Sequence, residues 1–233
     1  MKRLIALAFA TTLAAAASAA DRREDRAVSG FNAIGASVNI DLEVIQDGTE
    51  SLRLEGDEEV LARTETFVRD GTLHIQYKRD HGNSWRSPSR IHGVVHARDV
   101  NAIALASSGK VRSASLKADS LALSISGSGD MDIAQLAARE ATLAISGSGN
   151  VSLVGRAEQL QARISGSGDI KAGRLEAERV QVRISGSGKA TVWAKQQLAT
   201  SIAGAGDVRY YGDPTLTKSI SGSGRIERLA ANP

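Results

Sequence analysis

Apolar residues in the second half of this chain recur at every second position, in a block that repeats about every 20 residues. The block centres on an isoleucine, and leucine, valine or alanine occupies most positions two and four residues before it. Because these offsets are even, the side chains share one face of an extended chain, as the two-residue period of a strand requires. The isoleucine column consists of Ile125, Ile145, Ile164, Ile184, Ile202 and Ile220.

Each block also carries a short motif of glycine and serine, which is written six times in nearly the same form. The first copy is Ser126-Gly127-Ser128-Gly129-Asp130, and a weaker version lies upstream at Ala106 to Lys110. A fixed period in this range is typical of a solenoid, in which each unit buries its apolar face by stacking on its neighbours. The last glycines of the copies are Gly109, Gly129, Gly149, Gly168, Gly188, Gly206 and Gly224, spaced by 18 to 20 residues.

Pattern and period together predict an all-β fold, a parallel β-helix solenoid with about 20 residues per coil. We expect a right-handed coil, because parallel crossovers between strands strongly prefer that hand. Gly127 and Gly129 fall on the buried parity, which predicts a bend or a close approach of backbone from the far side. The serines, and the residue after the second glycine, should then face outward.

The region before the repeats lacks their regular pattern and is predicted to form a strand-rich head that caps the first coil. Alternation from Val38 to Val44 predicts a strand, and Asp47-Gly48 a turn. Residues from Asp57 to Val68 have helical spacing, and Asp70-Gly71 is expected to end this helix. Another alternating strand follows from Leu73 to Tyr77. The predicted organisation is a signal peptide over 1–20, the head over 21–101, the solenoid over 102–229 and a tail over 230–233.

The first 20 residues have the pattern of a secretory signal peptide. Lys2 and Arg3 precede an apolar run from Leu4 to Ala17, and Ala17-Ser18-Ala19 supplies small residues for cleavage. We therefore predict export, with a soluble mature chain that begins at Ala20 or Asp21 and lies in the periplasm or outside the cell. No later segment is long and apolar enough to span a bilayer.

Composition narrows the classes of function. The formal net charge of +3 falls to +1 without Lys2 and Arg3 (3 − 2 = +1), which gives no electrostatic case for nucleic acid. The chain has no cysteine, which excludes disulfides, thiolate catalysis and zinc–thiolate sites. Aromatic residues make up only 3% of the chain, which suits a narrow aliphatic core.

Signatures of catalysis and of metal binding are weak. The glycine–serine copies lack the spacing of a nucleophile elbow. Lys189 and Arg225 occupy positions where a repeated calcium site would need acidic residues. His92 and His96 could share one face of a strand, but ordinary surface or half-buried histidines are the favoured interpretation. We expect no enzyme, no cofactor and no metal.

Several features together resemble a known family. These are the signal peptide, a head containing FNAIGASVNIDLEVIQDG, a short helix before DGTLHIQYKR, and repeated ISGSGD. They resemble the GIN-type head domain proteins, the DUF2807 group of auto-transporter adhesins, over about Val28 to Leu229. The resemblance implies a bacterial, envelope-associated β-helix and a role in adhesion, and it supplies no catalytic residues.

Two classes of function remain open, with a third behind them. The first is a non-enzymatic exported envelope protein, an adhesin-like module that presents a flat surface to an extended polysaccharide or a cell-surface protein. The second is a structural protein that assembles by stacking or pairing its β-helix. The third is a carbohydrate-active enzyme on the same scaffold. Candidate sugar-stacking groups are Trp85, Trp193, Tyr210 and Tyr211, for which packing around the core is the favoured alternative.

The residues that would carry binding lie in the outward columns of the motif. Hydroxyls and carboxylates repeated about every 4.8 Å suit a repeating polymer better than a compact metabolite, which needs a concave pocket. The alternative, which we favour for the serines, is a set of hydroxyl ladders that stabilise neighbouring coils. We call these residues the corner stripe, which consists of Ser128, Asp130, Ser148, Asn150, Ser167, Asp169, Ser187 and Ser223.

Overall fold

Almost every element of the protein is a β-strand wound into one solenoid. The structure is a computed structural model that describes residues 22–78 and 89–230. The strands form a parallel β-solenoid of about 6 turns with roughly 20 residues per coil, which confirms the predicted fold class. The elements are β1 (Arg22–Arg26), β2 (Ala33–Ala36), β3 (Ile40–Gln46), β4 (Ser51–Gly56), α1 (Glu58–Arg63), β5 (Thr64–Arg69), β6 (Thr72–Tyr77), β7 (Ile91–Ala97), β8 (Ala102–Leu105), β9 (Lys110–Ser113), β10 (Leu116–Gly127), β11 (Asp130–Gly147), β12 (Asn150–Gly166), β13 (Asp169–Gly186), β14 (Lys189–Gly204), β15 (Asp207–Tyr211), β16 (Thr215–Gly222) and β17 (Arg225–Arg228).

In each coil, two strand segments meet at the glycine motif, which we call the glycine corner. The leading face holds the strand segment before the corner, and the trailing face holds the segment after it. Neighbouring coils pair in parallel with equivalent residues side by side, so Ile125 lies beside Ile145 and Ser126 beside Ser146. Each column along the solenoid therefore contains one equivalent residue from every coil.

The interior of the solenoid is a narrow stack of aliphatic side chains. From Ile125 to Ile202, the five isoleucines of the predicted column are only 1–2% exposed, which confirms their inward assignment. The sixth member, Ile220, is 41% exposed. Its predicted burial is wrong because it belongs to the last coil, and no further coil among the described residues covers that side.

The glycine corner is set by backbone geometry and by lack of space. Gly147 has a φ of +127°, in the region that favours glycine. A Cβ atom on Gly149 would lie 2.4 Å from the carbonyl oxygen of Gly129 and 2.7 Å from Cγ2 of Ile125. The predicted bend and close approach are thus both present. The approaching backbone, however, belongs to the preceding coil and not to the far side of the core.

The strands of the head join the same solenoid, but they enter it out of order. β2 and β3 pair in parallel with β6 and β7 on one side, and with β8 and β9 on the other. The coil formed by β2 and β3 therefore comes first in the sequence but lies between two others. β6 and β7 lie on its N-terminal side, and β8 and β9 lie on the side of the repeats. β4 and β5 pair antiparallel with β7 and β6, and they cover the outer edges of these two strands.

The helix of the head begins where predicted but ends early. Asp57 caps α1 by accepting hydrogen bonds from the backbone N–H of Glu59 at 2.9 Å and of Val60 at 3.2 Å. The predicted extension to Val68 is wrong, because β5 pairs antiparallel with β6 and its residues are rich in β-branched and aromatic side chains. Asp70-Gly71 forms the hairpin turn between these strands, with φ angles of 50° and 71°.

Candidate functional site

The serines of the corner stripe line the outside of the glycine corner. Ser128, Ser148, Ser167, Ser187 and Ser223 are all exposed. The backbone there is tied from coil to coil, since the N–H of Ser148 donates to the carbonyl oxygen of Gly127 at 3.0 Å. The corner therefore holds the hydroxyls in a straight row, one for each coil, along a firmly bonded ridge.

The predicted hydroxyl ladder between coils does not form. Among the described residues, none of these five serine hydroxyls makes a hydrogen bond to another protein group. The backbone carries the contacts between coils instead, through bonds such as the one from the Ser167 N–H to the carbonyl oxygen of Gly147 at 2.9 Å. The hydroxyls are consequently available to an external partner.

Beside the serines runs a column of polar residues that are half-buried. Asp130, Asn150 and Asp169 lie next to one another in register. The Nδ2 atom of Asn150 donates to Oδ1 of Asp130 at 2.8 Å, so one carboxylate is fixed by its neighbour. The column can offer both hydrogen-bond donors and acceptors to a ligand that runs along the solenoid.

The same column continues in both directions with charges of alternating sign. Lys110 lies in register between Asp41 and Asp130. Lys189 likewise lies between Asp169 and Asp207, and the column ends at Arg225. Opposite charges on neighbouring strands attract each other, so the acidic residues beside Lys110 and Lys189 stabilise these two lysines.

The other candidate side chains fall into several environments. Trp193, Tyr210 and Tyr211 are half-buried, and Tyr210 packs against the hydrophobic core. His96 is engaged with Asp47, whose carboxylate lies 2.6 Å from the Nδ1 atom of the ring. Hydrogen bonds from the Thr49 hydroxyl and from His96 lower the pKa of Asp47 to about 2. Trp85 and the predicted signal peptide lie outside the described residues.

The sequence analysis missed a group of arginines on the leading face. Arg163 and Arg183 are exposed and lie directly beside each other in register, and Arg179 is exposed on the same strand as Arg183. A signal for this pair exists in the sequence, since each arginine comes immediately before an isoleucine of the buried column. Equal offsets in consecutive repeats place them in one outward column.

Residues 22–78 and 89–230 contain neither a group of metal ligands nor a membrane-spanning helix. No group of three or more His, Cys, Asp or Glu side chains is arranged to hold a metal ion. No helix of that part of the chain is long and apolar enough to cross a membrane.

The chain matches one protein family over most of its length. Residues 30–214 match DUF2807, described as "Putative auto-transporter adhesin, head GIN domain". This protein therefore belongs to that family, as its motifs indicated. None of the curated proteins matches it.

Three solved structures show the same architecture. A putative adhesin from Bacteroides fragilis NCTC 9343 has a TM-score of 0.82 and 28% sequence identity, covering 91% of this chain and 98% of that one. A putative lipid binding protein from Parabacteroides distasonis ATCC 8503 has a TM-score of 0.71 and 23% identity, with 90% and 97% covered. A putative adhesin from Parabacteroides merdae ATCC 43184 has a TM-score of 0.64 and 20% identity, with 90% and 96% covered. The similarity to the two Parabacteroides proteins shows a shared fold only.

Proposed function

We propose that this chain is a non-enzymatic, exported binding module of the adhesin type. It holds an extended envelope or extracellular polymer along the glycine corner. The observation that carries the proposal is the row of exposed serine hydroxyls that make no protein hydrogen bond, with a donor and acceptor column beside it. Membership of an adhesin family and the adhesin-like fold support the same function.

The geometry of the corner favours a polymer over a small molecule. Equivalent groups recur about every 4.8 Å along a straight ridge, whereas a compact metabolite is usually enclosed in a concave and largely apolar pocket. Each hydroxyl or carboxylate contributes little by itself. Affinity therefore comes from many contacts made in series, and a linear ligand that spans several coils gains from their effective concentration.

The test uses an array of bacterial envelope and extracellular polysaccharides probed with the mature protein. We expect binding to at least one linear polymer, weakened about tenfold in an Asp130→Ala/Asp169→Ala variant because two polar contacts are lost. The melting temperature should stay nearly unchanged, since both side chains are partly exposed. Asp119→Ala/Glu158→Ala is the matched control, because it removes two exposed carboxylates away from the glycine corner.

Three results would contradict the proposal. One is the absence of binding to every polymer on the array. Another is an equal loss of binding in the control variant, which would point to net charge and not to the corner. The third is the release of new reducing ends from a bound polysaccharide, which would favour the carbohydrate-active alternative.

Export has its own test, because the signal peptide is a prediction from sequence. Expression of the full chain in a Gram-negative host should yield a soluble species outside the cytoplasm. N-terminal sequencing should find that it begins at Ala20 or Asp21. An intact Met1 on the exported protein, or retention in the cytoplasm, would contradict export through a cleaved signal peptide.

A second candidate function is assembly through the C-terminal end of the solenoid. The last coil leaves Ile220 41% exposed, and β16 and β17 have no strand on their outer side among the described residues. A second copy could stack there. Lys218 opposes this, since it stands in an interior column and such inward-pointing charges discourage pairing of open edges. A dimer that appears in sedimentation at micromolar concentration, and disappears with Ile220→Asp, would support assembly.

A further inference from the structure

The leading face of the solenoid carries a group of three exposed arginines. Arg163 and Arg183 lie directly opposite each other on β12 and β13, about 4.8 Å apart from strand to strand. Arg179, also on β13, is exposed and flanked in register by Gln159 and Gln197. Within residues 22–78 and 89–230, none of these three guanidinium groups forms an ion pair or a side-chain hydrogen bond.

Acidic side chains are missing from the positions that could compensate this pair. Ala144 lies before Arg163 in the column, and Ser201 lies after Arg183. The columns on either side hold glutamines and serines at the same height, namely Gln161, Gln181, Ser165 and Ser185. Like charges directly opposite on neighbouring strands are destabilising. The leading face thus keeps an arrangement that costs stability.

On the trailing face of the same coils, the column beside the glycine corner has the opposite arrangement. There Lys189 stands between Asp169 and Asp207, so each charge has an opposite neighbour. In the next outward column, Arg112 lies in register between Glu43 and Asp132, whereas Lys171 lies between Ser152 and Thr191. Oppositely charged residues therefore alternate in the column beside the corner, whereas the leading face places two arginines side by side, where they can bind an external anion.

We propose that the leading face binds a linear acidic polysaccharide through Arg163, Arg179 and Arg183. This surface is distinct from the corner stripe, and the inference does not depend on the proposed function of that stripe. Guanidinium groups bind carboxylate and sulfate with paired hydrogen bonds in a fixed fork geometry. The glutamine amides between them can bond sugar hydroxyls. An open groove lined by Gln159, Gln161, Arg179, Gln181, Gln197 and Thr217 runs across this face.

The side chains of this face favour a polysaccharide over a membrane or a nucleic acid. Proteins that lie on a membrane surface insert large apolar or aromatic side chains below the headgroups. Single-stranded nucleic acids stack their bases on aromatic rings. The outward positions around the arginines are glutamine, serine, threonine and alanine, which suit a hydroxyl-rich chain.

The test measures binding of the mature protein to polygalacturonate as the acidic probe and to dextran as the neutral one. We expect binding to polygalacturonate alone, and weaker binding as sodium chloride is raised, because salt screens exposed charges. Arg163→Gln/Arg183→Gln should weaken this binding about tenfold, and Arg163→Lys/Arg183→Lys by less, since lysine keeps the charge but loses the fork.

Arg112→Gln/Arg209→Gln is the matched control, because it removes two exposed arginines from the trailing face. We expect it to change the affinity less than about twofold. Asp130→Ala/Asp169→Ala should also leave binding to polygalacturonate intact, which separates this inference from the function proposed for the corner stripe. An equal loss in the Arg112/Arg209 control would overturn the proposal. So would equal binding to dextran, or tighter binding to phosphatidylserine vesicles or single-stranded DNA.

Discussion

The two ends of this solenoid are built from the same kind of coil but finish in different ways. At the N-terminal end, α1 lies between β4 and β5 and buries Val60 and Leu61, which are 5% and 0% exposed. At the C-terminal end, the last coil leaves Ile220 41% exposed. A coil inside the stack is covered on both sides, whereas a terminal coil gains half of that burial unless another element covers it.

A buried threonine near each end differs in its hydrogen bonding. At the N-terminal end, the buried Oγ1 of Thr64 donates to the carbonyl oxygen of Val60 at 2.8 Å. Near the C-terminal end, Thr200 is buried, and its Oγ1 has no hydrogen-bond partner among the described residues. Lys218 follows Thr200 in the same interior column. The two threonines therefore differ in hydrogen bonding, although Nε of Arg26, Oδ1 of Asn39 and Oδ1 of Asp41 in the head also lack a partner within the described residues.

The largest expected difference comes from one substitution made at two places in the isoleucine column. Ile164→Asp should unfold the protein, because a buried unpaired charge at a site that is 1% exposed costs at least about 4 kcal/mol. Ile220→Asp should cost less than about 1 kcal/mol, because water already reaches that site. Thermal unfolding followed by circular dichroism tests both. Similar melting temperatures for the two variants would contradict the difference between the ends.

A second pair compares the apolar cover of each end. Leu61→Ala should lower the free energy of unfolding by about 2–5 kcal/mol, because Leu61 is fully buried under the cap. Leu216→Ala should lower it by at most about 1.5 kcal/mol, because Leu216 on the last coil is half-buried. Urea denaturation gives both values. Equal losses would mean that the last coil is as well packed as the cap.

A third pair concerns the two buried threonines and has opposite signs. Thr200→Val should raise the free energy of unfolding by about 1 kcal/mol, because it removes a buried hydroxyl that lacks a partner and keeps the shape. Thr64→Val should lower it by about 1 kcal/mol, because it breaks the bond to Val60. Chemical denaturation of both variants tests the pair. A destabilised Thr200→Val variant would show that this hydroxyl is satisfied in solution.

The smallest expected effect is a dependence on pH at the N-terminal end. Hydrogen bonds from Thr49 and His96 hold the pKa of Asp47 at about 2, below its ordinary 3.8. A carboxylate whose pKa is lowered by folding stabilises the protein above pH 3.8, and this stabilisation is lost as the pH falls towards 2. Melting temperatures between pH 5 and pH 2, roughly the window of this titration, should therefore fall less in Asp47→Asn than in the wild type. An equal fall in both would assign the acid sensitivity to other groups.

Much of the fold could be predicted from the sequence because a solenoid repeats one local rule. Even offsets around Ile125 to Ile202 fixed which side chains point inward. The glycine pairs marked the corner, where Gly149 has no room for a Cβ atom. The outward direction of Ser128 and its equivalents followed from the same alternation, and they are exposed as expected. These features depend on contacts between residues that are close in the sequence or that occupy equivalent positions in adjacent repeats.

The head was harder because its pairing is not local. Helical spacing continued to Val68, yet Thr64–Arg69 became β5, since pairing with β6 outweighs a short helical preference. The insertion of β2 and β3 between β6–β7 and β8–β9 has no counterpart in the repeat pattern. Contacts between strands distant along the chain settled both features.

The sequence by itself determined the solenoid, its period of about 20 residues, its buried columns and its outward serines, because all of these follow from alternation and repetition. Only the tertiary structure decided which coil lies at an end and which arginines become neighbours. Ile164 and Ile220 each precede a Ser-Gly-Ser-Gly motif, and they differ in exposure because only Ile164 has a coil on each side. Arg163 and Arg183 become neighbours because parallel register places them side by side, and neither forms an ion pair within the described residues.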